Sequence, residues 1–343
     1  MEQQATKANS FWGFPASSLL ALVLLSASAI PCVAGTAAVS KHVPPNSLTD
    51  TEKILLQGRA DDAVSRLHAF IAANPQDGHA HLLLCRTFYA EELVDPAISE
   101  CEAALATQAN DSQAQDWMGR AYGLKADRSG PIAGYKLASR VRTAFETSVQ
   151  LDPHNDDAVN DLGEYYVSAP SIVGGGVDKA LALATRSESQ LPQTAHRIRG
   201  LAAEKQHDTA TAEREFKAAV AVANHPDAWF DLGHFYFRIH EKDQALDALH
   251  HSIEADRTHG PALVDVASVL AKLHTETDVA ENALRSYLAS NARSDAAPAF
   301  KACVDLGRLL ESDGDKQGAQ TQFLAALALA HDYAPAKRAI QHL

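Results

Sequence analysis

Residues 225–257, HPDAWFDLGHFYFRIHEKDQALDALHHSIEADR, decide the fold of this chain. Two amphipathic helical patterns flank the polar turn formed by Glu241, Lys242 and Asp243. In the first, Trp229, Leu232, Gly233 and Tyr236 recur at helical spacing and share one face. In the second, Ala245, Leu249 and Ser252 do the same. Small Gly233 and Ala245 let two antiparallel helices approach closely, while Trp229, Leu232, Tyr236 and Leu249 fill the space around that contact. Trp229 is therefore expected in the core.

The rest of the chain repeats this unit with variations. A partial copy near residue 48 leads to Ala63, Leu67 and Phe70. The second carries Leu84, Cys85 and Phe88, then Ala97, Cys101 and Ala104, so that Cys85 stands for the glycine and Cys101 for the large second-helix residue. Later copies show Met118, Gly119 and Tyr122 with Phe145, then Leu162, Gly163 and Tyr166 with Ala180, then Gly200 with Ala212 and Phe216. Beyond the quoted stretch come a degenerate copy (Leu263, Val266, Leu270, Ala280, Leu284, Tyr287) and a good one (Leu306, Gly307, Leu310, Ala319, Phe323). The pattern W-x2-L-G-x2-Y…A-x3-L, recurring at about 34 residues, resembles the tetratricopeptide repeat, TPR. The resemblance covers residues 48–343. It implies an all-α fold, a right-handed superhelical solenoid of about eight helix-turn-helix repeats, closed by a C-terminal capping helix over residues 335–343. Stacked repeats of this kind are expected to form one elongated body whose units contact only their neighbours.

Two copies carry insertions, near residues 127–139 and 168–179, each between the first and second helix. Falling in adjacent repeats, they are expected to emerge at one edge. The second reads APSIVGGGVDKA over residues 169–180, and resembles a loop of bacterial exported TPR proteins. Glycines 174–176 cannot continue a helix without a large entropic cost, so they form a loop. A phosphate cradle would need GxxxxGK[ST] after a strand, which is not the pattern here.

Before the repeats, residues 1–34 read as a secretory signal peptide: Lys7, then the apolar run 19–25, then small residues. Residues 35–47, rich in Gly, Thr, Ala, Ser and Pro, read as a flexible leader. Pro31 before Cys32 speaks against lipid attachment there. Export to a periplasmic or secreted location follows. Cys85 and Cys101 face the core from the two helices of one repeat. A disulfide is geometrically conceivable and an exported compartment permits it, but the favoured reading is two buried thiols in small-residue slots.

A formal net charge of −13 opposes general attraction to nucleic acid or to anionic membranes, although it leaves room for a local basic patch. No nucleic-acid partner is implied, and no membrane contact beyond the export signal. The sixteen histidines show no metal-ligand spacing. No nucleophile elbow or distinctive paired acid is present. Neither cofactor nor metal is implied, and the chain is not expected to be an enzyme.

The informative residues lie on the second face of each first helix. Phe230, His234 and Phe237 follow at i, i+4 and i+7, as do Leu82, Arg86 and Tyr89. Arg120, Arg197, Arg238, Lys272 and Arg308 occupy related positions. The TPR resemblance implies that this face lines a concave groove for a peptide or partner helix. Cations and aromatics there suit a partner bearing carboxylates. The leading expectation is a non-catalytic protein-binding scaffold in the bacterial envelope. Two other readings stand beside it: an enzyme or small-ligand site built on the paired insertions, and a structural component that assembles with itself.

Overall fold

A computed structural model describes residues 48–343. The signal and leader expected before residue 48 lie outside the described residues. Within them the chain forms seventeen α-helices that pair as consecutive antiparallel hairpins. These are α1 (Leu48–Leu56) with α2 (Ala60–Ala73), α3 (Gly78–Ala90) with α4 (Val94–Thr107), α5 (Ser112–Asp127) with α6 (Pro131–Leu151), and α7 (Asp156–Ser168) with α8 (Val177–Ser187). They continue as α9 (Pro192–Lys205) with α10 (Thr209–Ala223), α11 (Pro226–Arg238) with α12 (Lys242–Ala255), α13 (Ala262–Leu273) with α14 (Thr277–Ala289), and α15 (Ala299–Ser312) with α16 (Lys316–Leu329). Helix α17 (Ala334–His342) closes the series against α16.

Recurrent local chemistry sets each hairpin. Side chains of Asp77, Asp111 and Asn155 cap α3, α5 and α7 by accepting from the backbone N–H three residues on. The turn into the second helix uses a left-handed residue at Gly58, Glu92, His207, His240 and Gly314, and two, His274 and Glu276, in the α13–α14 turn. Histidine tolerates that backbone better than most side chains, which gives three of the histidines a structural role. Across four of the hairpins a large side chain of the second helix lies against a glycine of the first. A Cβ at Gly119 would come within 2.4 Å of the Phe145 ring, one at Gly307 within 2.4 Å of Phe323, and one at Gly200 within 3.0 Å of Phe216.

In the α3–α4 hairpin a covalent bond stands in for that fit. Cys85 and Cys101 occupy the glycine and aromatic positions and form a disulfide, their Cα atoms 5.3 Å apart. The favoured reading of two thiols is thereby corrected: the close approach that Gly and Phe make elsewhere is also the spacing a disulfide requires. Cys303 is free and buried. Trp229 is a second correction. It is half-buried, its indole N–H donating to Asn224 and its ring lying 4.6 Å from that of His251. The fully buried aromatic of α11 is Phe235, 0% exposed, which packs against Phe216 of the preceding hairpin.

The first insertion is not a loop. From Pro131 onward it lengthens α6 at its N-terminal end, with Pro131 where the missing N–H costs nothing. The second is a 3₁₀ turn (Ser171–Val173) followed by the glycines.

First helices of successive hairpins touch one another along the stack, and the second helices lie outside them. The expected neighbours-only body is also corrected, because the two ends meet. Gly58 approaches Ala299 so closely that a Cβ would lie 2.7 Å from its backbone nitrogen. Ala60 and Ala90 join one apolar cluster with Phe300 and Tyr333. The His331 backbone N–H donates to Asp61, Lys301 lies 3.7 Å from Glu92, and Arg86 Nε donates to Asp295 at 2.7 Å.

Two stability measurements test this packing. Phe235→Ala is expected to cost about 3–5 kcal/mol in urea unfolding, and Trp229→Ala clearly less; equal losses would contradict the burial assigned to the two rings. Reducing the Cys85–Cys101 bond, which closes a short loop, should lower stability by about 3 kcal/mol. Alkylation and peptide mapping without reductant should recover the two cysteines still linked.

Candidate functional site

The inner face is built from the first helices, so each hairpin contributes the same few positions to it. At the N-terminal end Trp117 is the hub. Arg86 and Arg120 lie over its ring at 5.6 and 4.7 Å, and Tyr89 meets it edge-on at 5.3 Å. Burial pushes the Tyr89 phenol up to about 12. Leu82, expected on this face, is instead 1% exposed and packs in the core with Cys85 and Trp117. The helix of which it is part is covered there by α5, which takes the leucine out of the groove.

The arginines are already engaged. Arg86 donates to Asp295 and also to Glu52 at 3.3 Å. Arg120 Nε lies 2.6 Å from Asp161 and 3.0 Å from Asp116. Arg197 donates to Asp231 at 2.9 Å, Asn160 at 2.6 Å and Glu164 at 2.5 Å. Arg238 grips Glu204 through two bonds at 2.5 and 2.6 Å. Six of these eight partners lie on the first helix of an adjacent hairpin, so the guanidinium groups bind the stack to itself. Bidentate geometry of this kind is the strong form of an ion pair.

Further along, the face is open. Phe230, His234 and Phe237 stack on one another, with ring centroids 5.4 and 5.9 Å apart. Burial first, then the charge of Arg238, lowers His234 to about 3, so the imidazole is neutral near pH 7. Lys272 is exposed and makes no ion pair among the described residues. Arg308 is exposed with only a 3.8 Å contact to Asp305. The inner face thus divides into a self-satisfied stretch that runs from α3 to the Arg238 end of α11 and an open stretch formed by the ring stack of α11 with α13 and α15.

The glycine loop offers no anion cradle. The N–H groups of Gly174, Gly175 and Gly176 donate to the carbonyls of Ser171, Pro170 and Tyr166. Lys179 Nζ donates to the Gly174 carbonyl. Among the described residues no group of three or more His, Cys, Asp or Glu is arranged to hold a metal ion.

Residues 55–121 and residues 197–256 each match a sequence profile of the tetratricopeptide repeat. The chain is a tetratricopeptide-repeat protein. No curated protein matches it. Among solved structures this TPR protein is similar to the APC/C hetero-tetramer Cut9–Hcn1, with a TM-score of 0.39 and 14% identity over 86% of this chain. It spans 54% of the length of that chain. A thermophilic TPR protein of Thermus thermophilus gives a TM-score of 0.43 and 23% identity, covering 57% of this chain and 99% of its own. YrrB, described as a TPR protein with an unusual peptide-binding site, gives 0.36 and 18%, covering 56% and 93%.

Within the TPR scaffold, sequence reasoning found the arginines but missed Trp117 and the acids that hold them: Glu52, Asp161, Glu204, Asp231 and Asp295. A signal existed for most. They recur on first helices, one hairpin away from their arginine. Asp295 lies in the connection between α14 and α15 and carried no such sign.

Around Arg120 three carboxylates, Asp116, Asp157 and Asp161, share one guanidinium. Asp116 is buried, and one of its oxygens, Oδ1, has no hydrogen-bond partner among the described residues. Burial therefore raises its carboxyl well above the ordinary aspartate range, against the pull of Arg120. A carboxyl whose folded pKa is raised binds more protons folded than unfolded, so stability falls as pH rises from about 4 upward. Asp116→Asn should remove this slope. Its stability relative to the parent chain should improve between pH 5 and pH 8 in parallel urea titrations, and an unchanged or opposite trend would show Asp116 to be an ordinary ionised partner of Arg120.

Proposed function

We propose that this TPR protein is an exported, non-catalytic scaffold of the bacterial envelope that holds an extended segment of a partner protein along the inner faces of α11, α13 and α15. The observation that carries the reading is the half-buried Phe230–His234–Phe237 stack, left open beside an unpaired Lys272. An apolar side chain of the partner packs on the rings. A carboxylate a few residues along meets Lys272 and then Arg308. Arg86, Arg120, Arg197 and Arg238 take no direct part, because releasing any of them would leave buried or partly buried acids unpaired. The partner's charge is thus read by two side chains rather than by the whole arginine series. The disulfide supports the exported location, since such bonds persist in oxidising compartments, and the apolar run before residue 34 supports it independently.

Panning a random peptide display library against the chain tests this reading. Enriched peptides should combine an apolar residue with a nearby acid, and should bind about tenfold more weakly to Phe237→Ala and to Lys272→Ala. Failure to enrich, or enrichment indifferent to both substitutions, would remove the open stretch as the binding face.

A further inference from the structure

The two insertions build something that the hairpin stack does not need. The added N-terminal turns of α6 carry Ile132, 81% exposed, and Tyr135, 49% exposed. The 3₁₀ turn brings Ile172, 74% exposed, to the same place, where the Tyr135 hydroxyl donates to its carbonyl at 3.4 Å. Below this tip the insertions brace each other. The Tyr165 hydroxyl lies 2.9 Å from the Ala138 carbonyl of one and 2.7 Å from the Val173 carbonyl of the other. Gly175 then returns the chain past Ala169, where a Cβ would come within 1.9 Å of the carbonyl oxygen. Three large apolar side chains are therefore held out from the surface by a buried support.

The charge around them is inverted relative to the rest of the molecule. Ile132, Lys136 and Arg140 follow at i+4 intervals and share one face of α6. Lys136 and Arg140 are exposed. Arg140 rests over the Tyr122 ring at 5.4 Å, and neither it nor Lys136 has an ion pair among the described residues. Residues 129–142 and 168–177 contain no Asp or Glu, in a chain that has 43 of them. The net charge that argues against membrane attraction thus does not describe this edge.

We propose that the tip docks peripherally on an anionic lipid surface, with Ile132, Tyr135 and Ile172 entering the headgroup boundary and Lys136 and Arg140 facing the lipid phosphates. A protein partner would have to supply a pocket shaped around a convex tip. A bilayer interface closes around isolated aliphatic side chains without one, and anionic headgroups complement the acid-free rim. The inference does not rest on the peptide-binding reading, which concerns α11, α13 and α15.

Co-sedimentation with vesicles tests it, using phosphatidylcholine alone and phosphatidylcholine mixed with phosphatidylglycerol. The mature chain should bind the anionic vesicles, and bind less as salt is raised. Ile132→Ser with Ile172→Ser should weaken binding by about tenfold or more. Lys136→Gln and Arg140→Gln should each weaken it roughly fivefold. All four sites are on the surface, so unchanged thermal melts verify that the variants remain folded. Absence of binding to anionic vesicles overturns the proposal. So does binding that the serine variant retains, which would assign it to cations elsewhere. Concentration-dependent mass in analytical ultracentrifugation that the serine variant abolishes, with no vesicle binding, would assign the tip to a second copy of the chain instead.

Discussion

Five of the eight hairpins of this protein depend on a close approach between two helices at one small residue. Where Gly119 meets Phe145, Gly200 meets Phe216 and Gly307 meets Phe323, the missing Cβ is the seat of the opposing ring. Any side chain there would force the helices apart, and interiors packed at crystal density do not absorb such a shift. Gly233 seats Leu249 in the same way. The disulfide of the second hairpin is a variation on that constraint rather than an addition to it, because Cys85 and Cys101 stand at the same pair of positions. With hairpin thickness held constant, the first helices stack in register. Only then can Arg120, Arg197 and Arg238 reach acids on a neighbouring first helix.

That stacking decides what the inner face can offer. A guanidinium held by two or three carboxylates is a structural part, however well its position suits a groove. Arg86, Arg120, Arg197 and Arg238 cement neighbouring hairpins, while the Phe230–His234–Phe237 stack and Lys272 remain outside that network. Electrostatic recognition is thereby confined to a short stretch. Neutral His234, pressed between two phenyl rings, extends the apolar part of that stretch and contributes no charge of its own.

The hairpins were legible in the sequence because their signals are local. Periodicity, the recurring glycine and the proline or asparagine between units all act within one repeat. Even the irregular units could be located, since the pattern resumes after each interruption. The conformation of the first insertion was less legible: Gly130–Pro131 reads equally well as a break or as a helix start. The fate of Trp229 depended on how far its neighbours cover it, which a single repeat does not encode. The arginine partners were visible only once first helices were known to touch. Contact between Gly58 and Ala299, or between Arg86 and Asp295, joins residues more than 200 positions apart and leaves no periodic trace in between. Curvature accumulates from small rotations at each interface, and no motif records their sum.

The meeting of the two ends alters how this molecule comes apart and how it is made. In an open array, the outermost units are bounded on one side only, and fraying from either tip is the easiest excitation. Here Ala60 and Ala90 share an apolar cluster with Phe300 and Tyr333, so no unit is outermost. Detaching any hairpin breaks two interfaces at once, and the array behaves as a loop that must be cut twice before it unravels. Synthesis imposes the converse burden. The first hairpin leaves the ribosome with its closing face bare, and it must stay so until the eighth has been made.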